Sequence, residues 1–385
     1  MKRNIFGVAT GRVRPWIRDR GAVDTAGRAA FEAPFVAQGE QAEKARPYTK
    51  TYEVNAAATI ANWGAASCAT TKRMALALAL LCGAVGARCV LAQTQDGAQI
   101  KVKVDLVSVS FVARDARGGL VSDLTQDDVD VFEDAVPQKI AHFAKSSDVP
   151  LTLGIIVDAS GSQDHFEKQH KSDLEVFFKD VLGPQDRVFL VGFGNHIRLV
   201  SDFSSSGDGL LDDWKAYQKG KRHFPTLGPE EDRDLGTAFY DSIFYAVTEK
   251  LAKENGRRAI LLFSDGEDNS SSHNMMTAIE TAQAENVLVY AIRYTEKEHG
   301  KLTARNKYGI SVMDRVARET GGAHIDAETT DPHTYFKQIA EELRTSYELA
   351  YYPKDPLKDD SFRKIRLKPK REGITVRAKT GYFAR

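Results

Sequence analysis

The 385-residue sequence is poor in cysteine and has no net excess of charge. It contains three cysteines, Cys68, Cys82 and Cys89, and 53 basic against 53 acidic residues. Because all three cysteines precede residue 93, the rest of the chain offers no thiol for a disulfide bond or a cysteine-based metal site. The segment 93–385 is mildly acidic and lacks a basic face interleaved with aromatic residues. We therefore expect no nucleic-acid partner.

The sequence also lacks a hydrophobic run long enough to cross a bilayer comfortably. The apolar stretch from Met74 spans about 14 residues, whereas a membrane helix needs about 20. It follows Lys72 and Arg73 and ends in the small-residue pattern Val90-Leu91-Ala92, which is typical of a signal-peptidase site. We predict a cleaved signal peptide over 74–92 and an exported mature chain (periplasmic, cell-surface or secreted) without a membrane span. An uncleaved anchor and a buried helix are the alternatives.

Residues 1–73 precede this signal and show no sustained apolar period. An export signal normally begins near the start of translation. We therefore expect either a disordered leader or a true translation start at Met74.

Motifs of several enzyme classes are missing. The sequence has no G-x-S-x-G elbow, no G-x-x-x-x-G-K-[ST] phosphate loop and no kinase motifs. The acidic residues between 127 and 134 do not follow EF-hand spacing, so we predict a solvated acidic edge there. We expect that the protein is not an enzyme, with a hydrolase as the alternative.

Apolar periodicity divides the exported part into three. Runs 151–157, 187–193, 258–263 and 287–292 predict buried strands, and helices are expected near 163–182, 238–253, 273–285, 310–320 and 332–345. Buried strands that alternate with helices predict an α/β domain over 150–345, with a Rossmann-like, doubly wound, mainly parallel sheet.

Period-two alternation appears on both sides of this domain. It predicts an N-terminal β module over 99–148 and a C-terminal β segment over 346–385, with strands at 346–352, 362–368 and 374–379. Neither segment alone has enough strands for a stable two-layer core. We expect the two segments to pack together as one small β-sandwich.

Oxygen-bearing side chains follow three elements of the α/β domain. Asp158, Ser160 and Ser162 come directly after the first strand in IIVDASGS, Asp265 follows AILLF, and Thr237 precedes a helix. Because ligands collect at the carboxyl ends of parallel strands, we expect these five side chains to meet at one edge. Turn formation and helix capping are the simpler explanation of each residue alone.

Two carboxylates brought together without a counter-ion repel each other, and burial makes each charge more costly. A cation would resolve both problems. Hydroxyl and carboxylate oxygens suit Mg²⁺, Mn²⁺ or Ca²⁺, whereas a site without His and Cys disfavours Zn²⁺. We predict a divalent-metal site formed by Asp158, Ser160, Ser162, Thr237 and Asp265.

The segment Asp158-Ala159-Ser160-Gly161-Ser162 resembles the D-x-S-x-S motif of von Willebrand factor type A (VWA) domains. Thr237 in GTAFYDSI and Asp265 in LLFSDGEDN resemble the two later elements of that family's metal-ion-dependent adhesion site. The flanking β segments, with VDVFEDAVPQKI and SYELAYYP, are similar to the bacterial, acidobacterial-type VWFA-related subgroup. The resemblance implies Mg²⁺ binding and recognition of a protein partner, with Mn²⁺ and Ca²⁺ chemically open.

From the residues and the resemblance together we predict an exported, adhesion-type binding module. Its metal would capture an Asp or Glu side chain of an unidentified protein partner. The alternative is a structural cell-envelope protein in which the metal only stabilises the fold.

Overall fold

A computed structural model describes residues 106–145, 149–230, 236–355 and 358–385 of the chain. The predicted leader, the signal peptide and the first residues of the N-terminal β module lie outside the described residues. Within these ranges, none of the helices combines the length and the apolar character needed to traverse a bilayer.

Strands and helices cover most of the described chain. The strands are β1 (Val107–Arg114), β2 (Val129–Glu133), β3 (Val136–Gln138), β4 (Ile140–Lys145), β5 (Leu151–Asp158), β6 (Arg187–Phe193), β7 (Ile197–Ser204), β8 (Arg257–Ser264), β9 (Leu288–Arg293), β10 (His324–Asp326), β11 (Tyr347–Tyr351), β12 (Phe362–Pro369), β13 (Thr375–Ala378) and β14 (Gly381–Phe383). The helices are α1 (Glu167–Asp180), α2 (Gly207–Gln218), α3 (Phe239–Tyr245), α4 (Met275–Ala284), α5 (Ala304–Thr320) and α6 (Pro332–Arg344).

The α/β unit is built on a six-stranded sheet of order β10-β9-β8-β5-β6-β7. All neighbouring pairs in it are parallel except β6 and β7. All eight residues of β5 are buried because helices cover both faces of the sheet. Ile155 and Val157 point into one core and Ile156 into the other, which explains why this strand is a continuous apolar run. The predicted mixed α/β fold with a mainly parallel sheet is confirmed.

The predicted strands of the α/β unit are present, but three elements were not predicted. These are β7, α2 and the short edge strand β10. The helix expected at 310–320 begins earlier, at Ala304, because Thr303 and Asn306 form a reciprocal capping box. The helix expected at 238–253 continues from α3 through a π-helical turn (Ala246–Lys250) and a 3₁₀ turn (Leu251–Lys253).

The flanking segments combine into two four-stranded antiparallel sheets. One has the order β13-β1-β11-β4 and the other β14-β12-β2-β3, so each sheet mixes strands from both ends of the described chain. Their inner faces share one core that includes Phe111, Val131, Tyr347 and Ile365. The predicted association of the N- and C-terminal β segments is therefore present, and we call the two sheets the sandwich.

The sandwich contacts the α/β unit through a buried polar cluster near the end of α6. Glu342 accepts hydrogen bonds from Arg114 of β1, Arg377 of β13 and the hydroxyl of Tyr290 in β9. Only 5% of the Glu342 side chain is exposed. The last turn of α6 is thereby attached to both parts of the structure.

Candidate functional site

Three loops meet at the carboxyl end of the six-stranded sheet. Asp158 ends β5 and Asp265 follows β8, and these two strands are hydrogen-bonded neighbours. Asp158, Ser160, Thr237 and Asp265 are buried, whereas Ser162 is half-buried. The geometry therefore gathers the predicted oxygen-bearing residues at one edge, as the position of parallel strand ends requires.

Side-chain hydrogen bonds join the first and third loops. The hydroxyl oxygens of Ser160 and Ser162 lie 3.2 Å apart, and Ser162 donates to Oδ2 of Asp265 at 2.8 Å. The backbone N–H of Ser160 donates to Oδ1 of Asp158 at 3.0 Å. Hydrogen bonds thus join four of the five predicted residues into one connected chain.

Thr237 is placed by its backbone. Its N–H donates to Oδ1 of Asn269 at 2.6 Å, and its carbonyl accepts from the N–H of Asn269 at 3.2 Å. The next residue, Ala238, donates to the carbonyl of Gly194 at 2.9 Å, and Gly194 packs against the backbone of residues 159–160. Thr237 is therefore fixed between the loop that carries Asp265 and the loop that carries Ser160.

The electrostatics of this edge are unfavourable for two ionised carboxylates. Burial, and secondly the charge of Asp265, raise the pKa of Asp158 to about 7. Burial followed by the same charge also raises the pKa of Glu267, which Arg305 partly offsets. A cation at this edge would lower the free energy of the ionised Asp158.

The donor set fits a hard divalent ion. Nowhere in the described ranges do three or more His, Cys, Asp or Glu side chains gather as a metal site. The connected residues instead supply two carboxylates and two hydroxyl groups, and Thr237, which its backbone places beside them, carries a third hydroxyl. Such oxygen ligands suit Mg²⁺, Mn²⁺ or Ca²⁺. The residues that would hold such an ion are Asp158, Ser160, Ser162, Thr237 and Asp265.

Two supporting residues were missed by the sequence analysis. Ser264 donates to Oδ2 of Asp158 at 2.6 Å and accepts from the N–H of Gly266 at 3.0 Å. Gln163 is 2% exposed, and its Nε2 donates to Oδ2 of Asp265 at 3.0 Å and to the carbonyl of Tyr294 at 3.3 Å. Ser264 directly precedes Asp265 and Gln163 directly follows Ser162. This adjacency to predicted ligands is the only feature of the sequence that points to their supporting role.

Asp241 and Asp268 are two further carboxylates that support the site through the backbone of its loops. Asp241 is fully buried and accepts from the N–H groups of Ser272 and His273, and its Oδ1 lies 2.7 Å from Nδ1 of His273. Asp268 accepts from the N–H of Phe239 at the start of α3. Both carboxylates fasten the loop after β8 to α3, next to Thr237. The ring of His273 stacks on the ring of Phe244, with the ring centroids 3.7 Å apart.

No family model matches this chain, and no curated protein matches it. Solved structures of low similarity do match. An aerotolerance-related membrane protein from Bacteroides fragilis is 15% identical, with 50% of this chain and 98% of that chain covered, at a TM-score of 0.39. BatB from Bacteroides thetaiotaomicron is 16% identical, with 50% and 97% covered, at a TM-score of 0.37. Proximal thread matrix protein 1 from the mussel byssus, solved with a zinc-occupied MIDAS motif, is 15% identical, with 55% and 50% covered, at a TM-score of 0.38.

Proposed function

We propose that this protein is an exported, divalent-metal-dependent binding module without enzymatic activity. Asp158, Ser160, Ser162, Thr237 and Asp265 would hold the ion, and an Asp or Glu of a protein partner would complete its coordination. We propose Mg²⁺ as the ion, with Mn²⁺ and Ca²⁺ as chemical alternatives. The supporting observation is the connected chain from Asp158 through Ser160 and Ser162 to Asp265.

The role of the chain's own residues follows from their hydrogen bonds. Ser264 and the Ser160 N–H orient the two oxygens of Asp158, while Gln163 and Ser162 orient Asp265. A bound divalent ion would supply an open position for an external carboxylate. Ser162 is half-buried, whereas the other four residues are buried. The open position would therefore face solvent on the side of Ser162.

The environment of the serines supports binding rather than nucleophilic catalysis. A nucleophilic serine needs a base within hydrogen-bond reach, most often histidine. The hydroxyls of Ser160 and Ser162 contact each other and a carboxylate. The second candidate, a structural protein in which the ion only stabilises the fold, shares the same site and differs in having no metal-dependent partner.

The test is the melting temperature of the purified protein in EDTA and in millimolar Mg²⁺, Mn²⁺ or Ca²⁺. A ligand at about 100 times its dissociation constant stabilises the folded state by about 2.7 kcal/mol. We expect a rise for the wild type that Ser160→Ala/Ser162→Ala lacks. Ser122→Ala/Ser205→Ala, which changes two exposed serines, is the matched control. No rise with any of the three ions would contradict the proposed metal site.

A further inference from the structure

The N-terminal half of α5 lies directly against the loop of Asp265. A Cβ atom on Gly309 would be 2.2 Å from the carbonyl oxygen of Asp265, and one on Gly266 would be 2.4 Å from the carbonyl oxygen of Gly309. Only a glycine pair allows the two backbones to approach so closely. The side chains on this part of α5 are therefore held at a fixed position beside the five residues of the proposed metal site, which we call the metal edge.

Tyr308 is an exposed aromatic residue at this position. It is 60% exposed, and among the described residues it is the one large exposed hydrophobic side chain of the α/β unit, since Leu106, Val136, Tyr352 and Phe362 belong to or flank sandwich strands. Tyr308 also lies near Tyr240, three residues after Thr237: burial first, and then the neighbouring Tyr308, raise the pKa of Tyr240. Gly309 thus fixes the backbone next to Tyr308 against the loop of Asp265, and the Tyr308 side chain lies near the first turn of α3.

Arg305 lies one helical turn before Tyr308, so the two side chains share a face of α5. The side chain of Arg305 is 67% exposed and its Nη2 contacts Glu267. The N–H of Glu267 in turn donates to Oδ1 of Asp265 at 3.0 Å. A guanidinium carries five N–H donors, so the contact with Glu267 leaves donors directed to solvent.

These observations define a surface, which we call the α5 rim, made of Arg305 and Tyr308. Exposed Tyr and Arg side chains are over-represented among the residues that dominate the energetics of protein interfaces. Arg305 favours a carboxylate, and the ring of Tyr308 favours an apolar or aromatic side chain. A bound ion at the metal edge and Arg305 on the α5 rim would therefore both attract carboxylates, so a segment with two acidic residues suits both.

We infer that the partner binds through an acidic segment that contacts the metal edge and the α5 rim together. One carboxylate of the segment completes the metal site, a second pairs with Arg305, and an apolar or aromatic side chain between them packs on Tyr308. This inference rests on the proposed function and specifies the chemistry of the partner.

The test uses a phage-displayed peptide library with one fixed central Asp and randomised flanks, selected on the full-length protein in Mg²⁺. We expect Mg²⁺-dependent binders enriched in a second acidic residue and an aromatic residue at fixed distances from the Asp. Tyr308→Ala and Arg305→Gln should each weaken these binders at least tenfold, and Tyr308→Phe should restore binding. The controls are Tyr352→Ala and Arg318→Gln, which change residues of similar exposure away from the rim.

The outcomes separate the two ideas. Mg²⁺-dependent binders that tolerate Tyr308→Ala and Arg305→Gln would overturn the α5 rim and leave the proposed function standing. Binders that are unchanged in EDTA, or after the fixed Asp is replaced by Asn, would overturn both. A dimer in sedimentation that Tyr308→Ala dissociates would assign the rim to a second copy of this chain and also overturn the inference. The melting temperatures of all variants in Mg²⁺ and EDTA show that each folds and binds the ion.

Discussion

The hydroxyl of Ser264 donates a 2.6 Å hydrogen bond to Oδ2 of Asp158. This contact joins the ends of β8 and β5 at the point where Asp158 is buried. This bond and the one from the Ser160 N–H do not offset that burial together with the charge of Asp265, since the pKa of Asp158 is raised to about 7. The carboxylate at the centre of the site is therefore one whose ionisation the surrounding protein opposes.

The raised pKa of Asp158 predicts how metal binding depends on pH. The ion requires ionised Asp158, so below about pH 7 a proton competes with it, and the apparent affinity should fall about tenfold per pH unit. We expect the rise in melting temperature at a fixed, subsaturating Mg²⁺ concentration to grow from pH 5 to pH 8. At each pH, the rise is the difference between the melting temperatures in Mg²⁺ and in EDTA. Effects of pH on stability that do not involve the ion are present in both measurements and cancel in this difference. A rise that stays constant over this range would contradict the prediction.

His170 predicts a separate loss of stability in acid. Burial lowers its pKa to about 3. Its ring packs edge-on against the ring of Tyr294, with the ring centroids 4.4 Å apart. Because the unfolded pKa is about 6.5, the stabilising contribution is fully present above pH 6.5 and falls as the pH drops toward 3. At pH 5 the loss should be about 2 kcal/mol. Chemical denaturation of the wild type and His170→Phe in EDTA at pH 7 and pH 5 measures it, and equal losses in the two proteins would count against this role.

The contact between Gly309 and Asp265 predicts that one methyl group disturbs the site. Gly309→Ala would place a Cβ 2.2 Å from the Asp265 carbonyl oxygen, so α5 or the loop must move. We expect a loss of about 2 kcal/mol in unfolding free energy and a weaker Mg²⁺ response. Gly161→Ala is the matched control, because a Cβ there meets no atom within 4 Å. Similar behaviour of both variants in denaturation and Mg²⁺ titration would argue against a tight contact.

Glu342 predicts a stability effect without a metal effect. Glu342→Ala leaves Arg114, Arg377 and the Tyr290 hydroxyl without their shared acceptor. We expect a loss of about 3 kcal/mol in unfolding free energy, since removal of one member of a buried ionic cluster is costly. The adjacent Glu341 is exposed, so Glu341→Ala should change stability little. If Glu342→Ala abolished the Mg²⁺ response while remaining folded, the cluster would have a role beyond attachment of the sandwich.

Local signals explain what the sequence predicted. The strand β5 is a continuous apolar run because it is covered on both faces, and the motif that follows it places Asp158, Ser160 and Ser162 at the strand end. By contrast, β7 is an antiparallel edge strand with mixed burial, so its sequence IRLVSDFS gives no clean period. The helix α2 begins with Gly207 and Asp208 and buries only Leu210 and Trp214 fully, so its apolar pattern is short.

Long-range contacts explain what the sequence could not predict. Gln163 meets Asp265 across 102 residues, and the side chain of Asn269 meets the Thr237 backbone across 32. Neither partner is marked by periodicity or by composition. The burial of Asp241 likewise depends on the later loop that supplies His273 and two backbone N–H groups. Such pairings arise only once the strands have placed the loops side by side.

The strand order of the sandwich has a consequence for biosynthesis. β1 pairs only with β11 and β13 among the described strands, and Ser108 hydrogen-bonds Glu348 across 240 residues. During synthesis from the N-terminus, β1 therefore emerges long before either neighbour, and its apolar side chains and unpaired edge stay without their native cover. Strand pairing over such a separation is slow because the intervening chain must first be closed into a loop. The α/β unit, whose strands pair closer in sequence, can fold during that interval and bring the two ends of the sandwich together.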